Sequence, residues 1–182
     1  MKKLLSISLL LALIAGCSTT PAPDENAGAP VESRSASQQP DVTPVVADGL
    51  DASGLPRVLT DPKSQLSQRS IYFDLDKYEV KSEYQALVAA HAKFLVANRD
   101  FKVLLQGNTD ERGSREYNLS LGQKRSDAVK RALVLLGARE DQVESVSLGE
   151  EKPRNPGHDE TAFAENRRAD ILYRAPDGRG EF

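Results

Sequence analysis

The sequence predicts an α/β domain: an α+β two-layer sandwich of order βαβαββ, with two main helices over one face of a four-stranded mixed sheet. Apolar residues recur at helical spacing in two stretches, and short β-branched or aromatic runs stand before, between and after them. The capacity to form a core is also confined to one part of the chain. All ten aromatics lie at or after Tyr72, whereas seven of the ten prolines lie between Pro21 and Pro62. For 182 residues, 39% of them hydrophobic, this leaves one domain of ordinary size, assigned to residues 69–175, with a tail at 176–182.

Each element has its own signal. "SIYFDLD", Ser70 to Asp76, suits a strand that runs into an acidic turn. Ser82 with Gln85 forms a capping-box pattern, and Tyr84, Leu87, Val88, His91 and Leu95 then share one helical face. His91 lies on that apolar face and reads as a packed or hydrogen-bonded histidine. "FKVLLQG" is a second strand ending at Gly107, and a second helix runs from about Asn118 to Leu136, with Gly137 in the position just past its end. "QVESVSLG" makes a third strand and "NRRADILYR" a fourth, and the loop between them leaves room for a short helical turn near Thr161 to Glu165.

The N-terminal part reads differently. Lys2 and Lys3 precede an apolar run from Leu4 to Ala15, too short to span a bilayer and arranged like a secretory signal, residues 1–16. Leu13 to Cys17 resembles the bacterial lipobox, in which the cysteine is lipidated, and Cys17 is the only cysteine. An intramolecular disulfide and a cysteine zinc site are excluded. By the same resemblance, Ser18 in place of an aspartate directs the lipoprotein to the outer membrane. Residues 17–68 are rich in Pro, Ala, Ser, Gly, Asp and Gln and have no aromatics or sustained period, which describes a tether. A flexible coil of about 50 residues has an end-to-end distance of about 40 Å and an extended limit of about 165 Å. The alternative is that Leu50 to Leu66 packs on the domain as an ordered arm. Removing residues 1–16, which hold two lysines and no acid, moves the formal charge from −3 to −5. Such a chain is a poor nucleic-acid binder, and its hold on a membrane rests on acyl chains rather than charge.

Polarity concentrates in "QGNTDERGSREYNLSLGQKR", Gln106 to Arg125. Val129, Ala132, Leu133 and Leu136 define the buried stripe of the second helix, and at about 100° per residue Arg125 falls about 40° from Val129. A guanidinium held near a core keeps its charge and needs an acid or a ligand carboxylate. Asp110, in the turn "TDERG" after the second strand, sits where α/β sheets form binding crevices. Asp110 and Arg125 either flank one pocket or join in a salt bridge that fixes the loop. Asp74 and Asp76 read as turn residues. No Cys or Ser has a plausible His base, and His158 in "GHDE" lacks the spacing of a metal pair, so the composition favours neither a hydrolase nor a metal or cofactor site.

"GNTDERGSREYNLSLGQKRSDAV", with "YFDLDKY" before it and "LGEEKP", "GHDE" and "NRRAD" after it, resembles the OmpA-like peptidoglycan-binding domain over Ser70 to Arg174. The order TD-x-x-G then N-x-x-x-x-x-x-R is specific. Asn108 stands where many members have His, and Ser126 follows Arg125 where Ala is usual. The resemblance implies a non-enzymatic domain in which Asp110 and Arg125 hold the free amino-acid end of diaminopimelate in the wall's stem peptide. Phe73, Asp76, Asn108, Arg112, Tyr117 and Leu121 would form the surrounding wall. Arg167 and Arg168 either close the same cleft or pair with Asp159 and Glu160. The lipobox, tether and domain in this order resemble lipoproteins of the Tol system. That implies as partners peptidoglycan, the system's periplasmic β-propeller protein and other Tol components.

Overall fold

The computed structural model describes residues 49–52 and 54–182. The expected signal segment and Cys17 lie outside the described residues, as does the tether up to residue 48. Four strands, β1 (Ser70–Tyr72), β2 (Lys102–Asn108), β3 (Val143–Gly149) and β4 (Arg168–Arg174), form one sheet in the order β1-β4-β2-β3. The helices are α1 (Gln85–Ala97), α2 (Arg115–Leu135) and the short α3 (Glu160–Asn166). β2 and β3 are parallel, and β4 enters between β1 and β2 antiparallel to both, so the sheet is mixed as expected.

Alternation along the strands builds the core. Ile71, Val103, Leu105, Ala169, Ile171 and Tyr173 are buried and meet Leu87, Val88, Phe94 and Leu95 of α1 and Val129 and Leu133 of α2. Phe94 sets its ring edge against Phe101 and Tyr173 at centroid distances of 5.3 and 5.4 Å. α2 reaches β2 through two glycines. A Cβ on Gly107 would lie 1.8 Å from the carbonyl oxygen of Gly122, so only glycine allows that approach.

The ends of several elements differ from expectation. β1 is short, stopping at Tyr72, and the acidic turn expected after it runs from Asp74 to Lys77, with Asp76 left-handed at φ 59. Ser82 sits within a 3₁₀ turn, Ser82–Tyr84, and caps nothing; α1 grows directly out of that turn. α2 begins three residues before Asn118, at Arg115, because the Ser114 hydroxyl accepts from the Tyr117 amide and caps it. α3 lengthens the expected short turn, capped by Asp159, whose carboxylate accepts from the Ala162 amide.

The largest difference concerns residues 54–68. The tether expected to reach residue 68 is instead packed chain over this stretch, as the arm alternative had it. Leu55 and Leu59 are 0% and 1% exposed, and with Leu66 they belong to the core. Arg69 fastens the arm: its guanidinium donates to the carbonyls of Leu59 (2.6 Å) and Leu66 (3.0 Å), pairs with Glu181 and lies over the Tyr173 ring. His91, fully buried as its face predicted, bonds the Gln68 carbonyl through Nε2 (2.9 Å) and the Tyr173 hydroxyl through Nδ1 (2.8 Å). With a neutral ring, Nε2–H donates to the carbonyl and Nδ1 accepts from the hydroxyl. The expected tail also folds back, with Arg174 bonding the Phe182 carbonyl and lying over its ring.

Candidate functional site

A cleft of about 250 Å³ opens where the β1–α1 turn, the β2–α2 loop, the first turns of α2 and the residue before β4 converge. Leu75, Asp76, Thr109, Asp110, Arg112, Gly113, Tyr117, Asn118, Leu121, Arg125 and Arg167 line it. Of the residues expected there, Asp76, Asp110, Arg112, Tyr117, Leu121 and Arg125 are present. Phe73 lies beneath, its ring 5.3 Å from the Arg125 guanidinium. Asn108 does not line the cleft: its carbonyl accepts from Arg125 and its amide nitrogen turns to the Gln106 carbonyl.

Arg125 is completely buried, and of the two sequence readings the shared pocket is the one seen, not the salt bridge. It does not pair with Asp110. Its Nε, Nη1 and Nη2 donate to the backbone carbonyls of Lys77 (2.9 Å), Asn108 (2.8 Å) and Asp74 (3.2 Å). Carbonyls are dipoles, not counter-charges, so burial pulls the guanidinium down to about 10, opposed by the fields of Asp110 and Asp76. It remains a cation without a bonded carboxylate among the described residues.

Asp110 is committed elsewhere. Its Oδ2 accepts from Arg112 Nη2 (2.6 Å) and Arg167 Nη1 (3.1 Å), and its Oδ1 accepts from the Arg112 amide (3.2 Å). Burial alone would raise its pKa, but the hydrogen bonds from the two arginines outweigh that and hold it below the usual carboxylate range. Glu160 accepts from both guanidiniums, and Phe163 supports the face of Arg112 at 4.5 Å, so α3 is tied to the cleft. Arg167 thus both closes the cleft and pairs with Glu160. Arg168 turns to Asp170 and to the Lys152 carbonyl, and Asp159 is a helix cap rather than an arginine partner. Asp74 pairs with Lys81 outside the cleft.

Sequence reasoning missed Thr109 and Asn118. Thr109 is 3% exposed, and its hydroxyl oxygen has no hydrogen-bond partner in the cleft wall. Asn118 donates to Glu150 and steadies the start of α2. The available signal for both was the order TD-x-x-G then N-x-x-x-x-x-x-R, whose first letters are Thr109 and Asn118. Among the described residues no group of three His, Cys, Asp or Glu could hold a metal.

The molecule is a two-layer α/β domain with a cleft at one end of its sheet, and that cleft holds two acids, Asp76 and Asp110, and the buried Arg125. The OmpA family model matches residues 72–167. A peptidoglycan-associated lipoprotein of Pasteurella multocida is 52% identical over 110 residues, 59% of this chain and 73% of that protein. One from Pseudomonas putida is 36% identical over 169 residues, covering 93% and 95%. The crystal structure of the peptidoglycan-associated lipoprotein from Burkholderia pseudomallei superposes with a TM-score of 0.63 at 56% identity, covering 64% of this chain and 99% of that one. The chain belongs to the OmpA family and, within it, to the group of these peptidoglycan-associated lipoproteins.

Proposed function

We propose that the chain is a non-enzymatic outer-membrane lipoprotein that holds peptidoglycan through the diaminopimelate of the stem peptide and links the membrane to the wall within the Tol envelope and cell-division system. The observation that carries the reading is Arg125, a buried guanidinium bonded to three carbonyls in a cleft that also holds Asp110 and Asp76. The free end of diaminopimelate carries an ammonium and a carboxylate on one carbon. A ligand carboxylate supplies the counter-charge that Arg125 lacks, and the acids of the cleft suit the ammonium. The orphan hydroxyl of Thr109 is a further polar group that such a ligand can satisfy.

The names of the relatives support the peptidoglycan assignment, and Leu13 to Cys17 supports a lipid anchor. Binding need only be modest, since many anchored copies facing a polymer of repeated sites raise the effective concentration. The Tol-system β-propeller protein would then compete with the wall for an overlapping face. A hydrolase is the less suitable reading. Both nitrogens of His91 are engaged inside the core, and Asp110 is held ionised by two arginines, which suits neither a general base nor a general acid.

Incubating purified peptidoglycan with the full chain tests the class: sedimentation with the wall and no soluble muropeptides is expected, and released muropeptides would overturn the reading. Fatty-acid labelling lost in Cys17→Ala is expected of the anchor, and labelling that persists would place it elsewhere.

A further inference from the structure

A pull arriving from Cys17 enters the domain through residues 54–68, and these are held differently from the chain that follows them. From Arg69 onward the chain is laddered: the Arg69 carbonyl accepts from the Ile171 amide (2.8 Å), and β1 then pairs with β4. Among the described residues no backbone hydrogen bond joins residues 54–68 to the sheet or to a long helix. Their backbone bonds stay within the arm and the residues just before it, as from the Leu59 amide to the Pro56 carbonyl (2.8 Å) and from the Ser64 amide to the Asp61 carbonyl (2.8 Å). Side chains seat the arm instead. Leu55, Leu59 and Leu66 share the core with Phe94, Leu95 and Tyr173, the Arg69 guanidinium bonds the Leu59 and Leu66 carbonyls, and His91 bonds the Gln68 carbonyl. Glu181 completes the fastening, since one of its carboxylate oxygens accepts from both Arg69 and the Tyr173 amide.

A ladder loaded along its strands resists with many bonds at once. Seats arranged in series give way one at a time, beginning with Leu55, which lies nearest Cys17 in sequence. The arm does not leave alone, because each leucine drawn out leaves a void in the core it shares with α1 and β4. β1 leads at once into the turn from Asp74 to Lys77 whose carbonyls Arg125 holds, so loosening β1 reaches the cleft directly. We infer that the arm is a load-limited catch: given the lipid anchor and the wall binding proposed above, tension between them strips residues 54–68 first, the core opens with them, and the cleft lets go while the anchor stays in the membrane. No covalent bond breaks, and the three leucines reseat when the tension falls.

The test is single-molecule pulling on the full chain, kept unexported so that Cys17 is a free thiol. It needs no wall peptide, so its failure leaves the peptidoglycan reading standing, and the sedimentation assay tests that reading separately. One geometry pulls between Cys17 and Ser120→Cys, an exposed position on α2 between Tyr117 and Leu121 of the cleft, and reproduces the load from anchor to wall. The other combines Cys17→Ser with Asp100→Cys and Ser120→Cys, which bypasses the arm and loads β2 between its two ladders. The first should yield at about half the force of the second or less, in a single step of up to about 220 Å, since the chain from residue 54 to the handle is released together. In the first geometry Leu59→Ala should raise the rate of yielding at fixed force by about tenfold or more, and Glu181→Gln by about three- to tenfold. In the second, where the arm stays seated while β2 is sheared, each should change it by about twofold or less. Equal forces in the two geometries, or variants that speed both alike, would overturn the inference. A first step of about 50 Å with the remaining domain still folded would overturn it too, because the arm would then come away without opening the core.

Discussion

Replacing Arg125 with lysine keeps the charge and removes the planar fork. The guanidinium reaches three carbonyls at 2.8 to 3.2 Å, on the β1–α1 turn and at the end of β2. A lysine ammonium at that depth keeps about one of them. Each hydrogen bond to a charged group is worth about 1.5 to 3 kcal/mol net. Water that reaches the Asp74 and Lys77 carbonyls offsets part of the loss, so Arg125→Lys should cost about 3 kcal/mol and lower the melting temperature by about 10 °C. Against a typical stability of about 5 to 15 kcal/mol, the variant still folds at 25 °C. Its affinity can therefore be measured in calorimetry with a diaminopimelate peptide whose distal carboxylate is either free or amidated. The wild type should favour the acid by about 10- to 100-fold, and Arg125→Lys, without the bidentate geometry, should retain a preference of about fivefold or less. Equal wild-type affinity for acid and amide would refute the assignment of Arg125 to the carboxylate. So would an undiminished preference in the lysine variant.

Three further outcomes are expected. Leu59→Ala, at a position 1% exposed, should cost about 2 to 5 kcal/mol in urea unfolding, and a fragment starting at residue 69 should lose cooperative unfolding, because it lacks Leu55, Leu59 and Leu66. Burial holds His91 at about 4 against an ordinary 6.5, so the unfolded chain takes up this proton first as pH falls. The stability it contributes is complete above about pH 6.5 and declines through the window down to about pH 4, by about 3 kcal/mol; the unfolding free energy of the wild type from urea titration should fall by that much more than that of His91→Gln. Thr109→Val should keep or raise the melting temperature, because an unpartnered buried hydroxyl is removed, and should weaken peptide binding by about three- to tenfold. Unchanged affinity would exclude the hydroxyl from the binding contact.

The sheet and the two long helices were legible because their signals are periodic and local. Val103, Leu105, Ile171 and Tyr173 alternate, and Leu87, Val88, His91 and Leu95 share a helical face, whatever the rest of the chain does. The docked arm was only an alternative, since three isolated leucines among prolines, serines and aspartates have no period; they become core only where α1 and the sheet supply a surface. The cleft was legible in its membership and less so in its wiring. Arg125 was conspicuous beside an apolar stripe, but its partners are backbone carbonyls, which every residue carries and no sequence marks. The partners of Asp110 are one arginine two residues ahead in its own turn and another that β4 delivers from 57 positions away. Only the strand order brings that second arginine near.

The contact between Gly107 and Gly122 also sets the span of the cleft. Asp110 stands three residues beyond Gly107, and Arg125 three residues beyond Gly122, so each side of the cleft is a short lever leaving the same fulcrum. A methyl at Gly122 would meet Ser147 Oγ at 2.3 Å, and one at Gly107 the carbonyl of Gly122 at 1.8 Å. Either would prise helix from strand and spread the levers. Two hydrogen atoms in the core thus gauge how far apart Asp110 and Arg125 stand.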